Sequence, residues 1–297
     1  MDKIYLFGFY ALKFLIAATP KCVYTAIVNA LAAIYMRLGK KRFNIVMTNL
    51  NLAFGESKTH EQKLEIAKKT YQNFAKFLGV NFILNQHTTK QKVLERVKFK
   101  DEEYLLQALK EDRPIIVTTA HYGQWELFSL AMAARFGAVS ILGRKLDSKS
   151  IDKILSANRT QFDIELIDKS GAAKQMIKAL KSRRLVGILV DQNTSKSDGI
   201  EVKFFGKRVL HTPAASIFAQ KTNALIVSAF IRQIDDETSE ICFFPPLDIN
   251  KLDKQNAILE ATQAQASACE AMIRAKADEY FWFHRRFKHF YEDAYKC

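Results

Sequence analysis

From Pro114 onward the chain alternates short apolar runs with longer segments of helical texture, and this alternation constrains the fold more than any other feature. Ile115–Val117 is rich in β-branched residues, as a buried strand would be. Apolar residues then recur at helical spacing until Gly137, a typical helix C-cap. Further strands are predicted at Ala138–Arg144, Ile164–Ile167 and Val186–Val190, and further helices at Ser148–Gln161 and Ala172–Arg183. The pattern predicts an α/β fold with a mostly parallel mixed sheet flanked by helices.

The sequence also predicts the elements that follow the alternating part and the division of the chain into domains. A short helix (Pro213–Gln220), a strand hairpin (Ala224–Ile231 and Ile241–Phe244), a long helix (Lys254–Ala277) and a helical tail are predicted after the alternating part. Residues 1–39 are expected to form a membrane anchor segment, 40–113 a helical N-terminal part and 114–297 the α/β core. Residues 40–297 are expected to form one globular domain, which suits a chain of 297 residues.

The charge of the chain suggests an acidic partner. Its formal net charge is +14, so nucleic acid, anionic lipid and an acidic carrier protein all remain open. The four cysteines are scattered without a CxxC spacing. They indicate neither a disulfide framework nor a zinc site, and a reducing compartment is expected.

The N-terminal segment Ile4–Met36 is almost entirely apolar, with Pro20 near its middle. Each half is shorter than the roughly 20 residues of a membrane span. The segment could span with a kink, form a hairpin, lie at the membrane interface, or pack as a core helix. The basic run Arg37–Arg42 follows it. Because such runs favour the cytoplasmic side and anionic headgroups, we expect a cytoplasmic protein body held at the membrane.

Three polar side chains stand where predicted strands end: His121, Arg144 and Asp191. Active sites of parallel sheets lie at the carboxyl ends of their strands, so these residues are candidates for a catalytic site. Glu126 follows His121 by five residues. On a continuous helix the two would be about 140° apart around the axis, too far to pair well. Across a strand–turn–helix junction, however, Glu126 could accept from the imidazole and leave the other nitrogen as a general base. The alternatives are that His121 and Glu126 belong to an ordinary loop whose polar groups are hydrogen-bonded, and that Asp191 caps a loop.

The C-terminal stretch YFWFHRRFKHFY (Tyr280–Tyr291) interleaves aromatic and basic residues. It could lie at a membrane interface, stack on RNA, or pack as a helix on the core.

Four stretches together resemble one family. HYGQWE (His121–Glu126) is similar to the His-x4-Glu/Asp signature of the glycerolipid-type acyltransferases, and most similar to the late acyltransferases of lipid A biosynthesis. The Asp-Gln, Phe-Phe-Gly and Thr-Pro elements between Val190 and Ser216 resemble the same family, as do Trp-x-His-Arg-Arg from Trp282 and MTNLNLAF (Met47–Phe54). One departure is Asn193, where many relatives carry an acidic residue.

The resemblance implies transfer of a fatty acyl chain from acyl carrier protein to a hydroxyl on an acyl chain of a lipid A precursor. It implies His121 as general base and Glu126 as its orienting partner. The expected substrate-binding residues are Arg144, Arg159, Asp191, Gln192, Arg285 and Arg286. Either Arg144 or Arg159 could stabilise the oxyanion or hold a lipid phosphate. No acyl-enzyme, metal or cofactor is expected. The resemblance places the protein at the cell inner membrane, near anionic lipids and without nucleic acid.

Two rival functions remain. Another glycerolipid acyltransferase would usually carry Asp at the end of the motif and a later Pro-Glu-Gly-Thr element, which is not found here. A membrane-tethered RNA-binding protein would need an RNP-type or OB-type strand signature, and none is visible. P-loop and dinucleotide enzymes are disfavoured because neither phosphate-binding glycine motif is present.

Overall fold

A mixed seven-stranded sheet forms the centre of the protein in the computed structural model, which describes residues 2–143, 146, 148–168 and 171–296. The strands are β1 (Val97–Lys100), β2 (Ile115–Thr119), β3 (Val139–Gly143), β4 (Ile164–Asp168), β5 (Leu185–Leu189), β6 (Ile200–Phe204), β7 (Lys207–His211), β8 (Leu225–Gln233) and β9 (Ser239–Phe243). The sheet order is β1-β9-β8-β2-β5-β3-β4, and β6 pairs with β7 separately. All neighbours in the large sheet are parallel except β8 and β9, so the predicted mostly parallel sheet is confirmed.

Helices cover both faces of this sheet. They are α1 (Asp2–Ala18), α2 (Lys21–Leu38), α3 (Lys40–Phe54), α4 (His60–Lys76), α5 (Phe82–Leu84), α6 (Lys90–Glu95), α7 (Glu103–Lys110), α8 (Trp125–Phe136), α9 (Lys149–Arg159), α10 (Ala172–Lys181), α11 (Ala214–Thr222) and α12 (Ala257–Ala275). A π-helical turn, Phe77–Asn81, follows α4. Residues of α7 and α8 pack on one face of the sheet, and residues of α10, α11 and α12 pack on the other.

Sequence reasoning missed several elements. It did not anticipate β1, whose four residues are too few to show a period, nor the β6–β7 hairpin. The predicted helical tail was wrong, because residues 280–292 form turns and isolated bridges. A third cluster of core residues packs this tail, through Trp282 and Phe287, against α3 and α12. Contacts distant in sequence therefore override the local pattern of the tail.

The two N-terminal helices carry large apolar side chains that no part of the described chain covers. The exposed fraction reaches 76% for Phe7 and 75% for Phe14 on α1, and 79% for Leu38 on α2. Thr19 and Pro20 separate the helices. No single helix in the described residues is long and apolar enough to cross a membrane, although Lys21–Leu38 and Lys40–Ser57 satisfy that test as a pair bent by 90°.

Candidate active site

The strand register brings His121 and Asp191 together. β2 and β5 are parallel neighbours, and Thr119 at the end of β2 pairs with Leu189 at the end of β5. Each of the two polar residues stands two positions beyond its strand, so both emerge at the same edge of the sheet. The expectation that side chains meet at the carboxyl ends of strands therefore holds for this pair.

Asp191 holds His121 through two hydrogen bonds. Its Oδ1 accepts from the backbone N of His121 (3.1 Å) and from the imidazole Nδ1 (2.9 Å). Burial alone would lower the pKa of His121, but the charge and the hydrogen bond of Asp191 outweigh it and raise the pKa above its ordinary value. Asp191 is 2% exposed, and its contacts with His121 lower its pKa despite its burial. The pair fixes the tautomer that leaves Nε2 free to accept a proton.

The turn after His121 depends on Gly123. Its φ is +57°, and a Cβ there would lie 2.1 Å from the carbonyl oxygen of Ile231. The backbone N of Gly123 donates to the carbonyl of Glu279 (3.0 Å), and the N of Phe281 donates to the carbonyl of His121 (2.9 Å). The C-terminal tail therefore pairs with the turn, and glycine is required because backbone approaches it closely.

Glu126 pairs with Arg159 instead of His121, so the expected imidazole–Glu126 hydrogen bond was wrong. The guanidinium Nε and Nη2 of Arg159 donate to the two carboxylate oxygens of Glu126 at 2.8 and 2.5 Å. Glu126 lies in the first turn of α8, whereas Arg159 is the last residue of α9. Asp191, on the neighbouring strand, occupies the position at Nδ1 that Glu126 was expected to take.

Gln192 also lies at the site, because its Nε2 is 3.4 Å from Nε2 of His121. The next residue is tied to the tail: the backbone N of Asn193 donates to Nε2 of His284 (3.0 Å). The role of His284 was missed, although the Trp-x-His-Arg-Arg motif marked its position. His284 thereby anchors the loop that carries Asp191 and Gln192.

Two other predicted substrate-binding arginines, Arg285 and Arg286, do not join this site. Arg286 is 1% exposed, donates to the carbonyl of Leu210 and to Nδ1 of His211, and lies over Phe204, so its predicted contact with substrate was wrong. Burial, with help from Arg286, lowers the pKa of His211 to about 3, which keeps this imidazole able to accept. Arg285 is half-buried with its guanidinium 5.7 Å from the ring centre of Tyr295. Arg144 lies outside the described residues.

Trp125 lines two cavities. The first, here named the aliphatic cavity, lies between α8 and strands β2, β3 and β5; Glu126 and Arg159 line it, together with Val117, Met132, Ile141, Leu185 and Ile188. Its volume is about 600 Å³ when the space open to solvent is included. The second, here named the aromatic cleft, is lined chiefly by Phe74, Phe77, Trp125, Phe281 and Phe283.

The aromatic rings connect these cavities with His121. The imidazole lies 5.3 Å from the ring centre of Trp125 and 5.9 Å from that of Phe281. Neither aromatic residue was among the predicted site residues, because an aromatic residue in a sequence is more often part of the core. The arrangement offers a base, a guanidinium and apolar space within one site, which suits the transfer of an acyl group.

Within the described part of the chain, no three His, Cys, Asp or Glu side chains come close enough together to hold a metal ion. The described cysteines Cys22, Cys242 and Cys269 are unpaired. Burial raises the pKa of Cys242 to about 11, which disfavours a thiolate nucleophile at this position.

Comparison with known proteins identifies a family. The sequence profile described as bacterial lipid A biosynthesis acyltransferase matches residues 3–289. The lipid A biosynthesis lauroyltransferase of Escherichia coli (strain K12) is 22% identical over 264 residues, which is 87% of this chain and 83% of that protein. Among solved structures, the 1-acyl-sn-glycerophosphate acyltransferase of Thermotoga maritima aligns with a TM-score of 0.40 and 10% identity, over 86% of this chain and 99% of that one.

Proposed function

The chain belongs to the bacterial lipid A biosynthesis acyltransferase family, and from this premise we propose that it transfers a fatty acyl chain from acyl carrier protein to a hydroxyl on an acyl chain of a lipid A precursor. The observation that carries the proposal is the His121–Asp191 pair beside the aliphatic cavity. A hydroxyl acceptor requires a base, and a fatty acyl donor requires apolar space.

His121 is the general base of the proposed mechanism. With Nδ1 donating to Asp191, Nε2 takes the proton of the acceptor hydroxyl as its oxygen attacks the thioester carbonyl. The contact of Gln192 with Nε2 is long at 3.4 Å and yields to the hydroxyl. The tetrahedral intermediate collapses, the carrier thiolate leaves, and the imidazolium returns the proton to sulfur. Asp191 stabilises the imidazolium between these two proton transfers.

Arg159 supports the oxyanion. Its Nε and Nη2 are held by Glu126, while Nη1 has no hydrogen-bond partner among the described residues and lies near Gly143. The Glu126 carboxylate thus positions a guanidinium that still has a donor to offer, which is the kind of fixed donor that an oxyanion requires. In this proposal Glu126 is a positioning residue for Arg159 and not a partner of the base.

The donor acyl chain occupies the aliphatic cavity. Two charged residues, Glu126 and Arg159, line it, whereas most of its other lining residues are apolar. In this proposal the thioester carbonyl lies beside Arg159, and its alkyl chain lies against the apolar residues. Burial of the chain would supply roughly 0.8 kcal/mol for each methylene group.

We place the enzyme at the cytoplasmic face of the inner membrane. The uncovered apolar side chains of α1 and α2 would enter the lipid, and the exposed basic residues Arg37, Lys40 and Lys41 would meet anionic headgroups. The net charge of +14 also suits an acidic carrier protein and a phosphorylated lipid. No metal or cofactor takes part in this proposal.

The decisive experiment is an acyl transfer assay with labelled acyl-acyl carrier protein and a purified lipid A precursor. Wild type should transfer the label, and His121→Ala should lose turnover by several orders of magnitude. His87→Ala, at an exposed histidine, is the matched control and should behave as wild type. Transfer to a lysophospholipid alone would refute the lipid A acceptor. An inert wild type with donors of several chain lengths would refute the acyl-carrier-dependent reaction.

A further inference from the structure

Arg96 is a half-buried guanidinium that lacks an anionic partner. It lies between α6 and β1, and its Nη1 donates to the neutral amide oxygen of Asn85 (3.0 Å). No carboxylate of the described residues lies within salt-bridge distance of it, and burial lowers its pKa. A charge removed from water is costly unless an anion accompanies it, so its retention here suggests an anionic ligand.

Arg96 lines a polar pocket with two lysines. This basic pocket, as we name it, is lined by three cations, Lys21 at the start of α2, Lys76 at the end of α4 and Arg96, and by two carboxylates, Asp236 and Glu237. Lys21 pairs with Glu237 at 2.9 Å and Lys76 with Asp236 at 3.9 Å, both in the turn between β8 and β9. The side chains of these acids are 80% and 74% exposed. Such exposed pairs contribute little stability and exchange readily for a stronger anion.

The basic pocket adjoins the aromatic cleft. Asn81, Gln124 and Gln233 line both. The other end of the aromatic cleft is formed by Trp125 and Phe281, which contact His121. The three cations therefore border a pocket next to the aromatic cleft, whose rings contact the base.

We propose that the basic pocket binds the phosphate group of a phosphorylated substrate, with Arg96 as the principal ligand and Lys21 and Lys76 completing the charge. A guanidinium binds two phosphate oxygens at once, whereas the lysines act as point charges. This inference rests on the proposed function for its substrates. The phosphate belongs either to the lipid acceptor or to the prosthetic arm of the carrier protein. The lipid is favoured because Lys21 and Tyr24, which line the pocket, lie on α2, whose apolar residues are exposed.

A binding measurement tests the pocket without turnover. Glucosamine 1-phosphate is titrated into the full-length protein in detergent, and tryptophan fluorescence reports binding because Trp125 lines the adjoining cleft. Arg96→Gln should weaken binding at least about tenfold. Lys100→Gln, at an exposed cation on β1, should leave binding unchanged. Equal binding by wild type and Arg96→Gln, with equal unfolding midpoints, would overturn the proposal, as would equal binding of unphosphorylated glucosamine.

A kinetic measurement separates the two sources of phosphate. If the lipid supplies the phosphate, Arg96→Gln raises KM for the lipid A precursor with little change in kcat. With a dephosphorylated precursor, wild type and Arg96→Gln should then have the same KM. If the carrier supplies it, KM for the acyl carrier rises instead. Both results support the phosphate site, and unchanged KM values for both substrates would contradict it. An inert wild type that still binds glucosamine 1-phosphate through Arg96 would refute only the proposed function.

Discussion

Asp191 accepts hydrogen bonds from both the backbone and the imidazole of His121, so a single carboxylate oxygen fixes the position and the tautomer of the proposed base. The two residues are 70 positions apart and meet because β2 and β5 are neighbours. The carboxylate five residues after His121, which local spacing favoured, binds a guanidinium instead.

Asp191→Asn should lower kcat by about 10³-fold and move the acidic limb of the pH–rate profile. The base acts when unprotonated, so the rate rises with pH through the pKa of His121. In wild type Asp191 raises that pKa, and without its charge burial lowers it, so the limb should shift to lower pH. Asp198→Asn, at an exposed carboxylate, is the control. An unchanged limb would show that Asp191 does not act on the imidazole.

Glu126→Gln should lower kcat by about 10²-fold because Arg159 loses its carboxylate partner. The pH limb should shift less than in Asp191→Asn, since Glu126 affects the pKa of His121 less than Asp191 does. The matched control is Glu165→Gln, which removes an exposed carboxylate on β4. A larger shift than that of Asp191→Asn would restore Glu126 as the partner of the base.

Ser129→Leu should shift the enzyme toward shorter acyl donors. Ser129 is buried and lines the aliphatic cavity, so a larger side chain shortens the space available to the alkyl chain. The ratio of kcat/KM for a short donor to that for a long donor should rise at least about tenfold. Ser129→Ala removes the hydroxyl without filling space and should keep the wild-type preference. An unchanged preference in Ser129→Leu would place the donor chain elsewhere.

Gly123→Ala should destabilise the protein by about 3 kcal/mol or more, because it combines a left-handed backbone with a clash against the carbonyl of Ile231. Gly206→Ala is the control, since its φ is +70° and its Cβ would meet open space. It should cost only about 1 kcal/mol. Chemical denaturation measures both free energies of unfolding, and equal losses would show that the turn is not closely approached.

Asn49→Ala should cost about 3 kcal/mol and loosen the C-terminal tail. The amide of Asn49 donates to the carbonyls of Trp282 (2.6 Å) and His284 (2.7 Å) and accepts from Tyr295. Thr48→Ala removes one hydrogen bond to the tail at an exposed site and should cost far less. Limited proteolysis after residue 279, with denaturation, measures the effect. A tail equally protected in both variants would refute the anchoring role.

The sequence alone determined the architecture around the site. Alternating apolar runs and helical periods predicted the parallel strands, because those signals are local in the chain. His121 could be placed at a strand end for the same reason, and the apolar start and the net charge of +14 are properties of composition. The family resemblance added the proposed acyl transfer. Its motifs also contain Asn49 and Trp282, which are joined by a hydrogen bond in the structure.

Which side chains meet depends on the packing of segments that are distant in the chain. Strand order is set by packing between distant segments, so Asp191 could not be assigned to His121, nor Glu126 to Arg159, from spacing. The burial of Arg286 depended likewise on the β6–β7 hairpin, whose residues Leu210 and His211 accept its hydrogen bonds. Local periodicity reports which face of a segment is apolar, whereas partners are chosen by the long-range contacts that close the core.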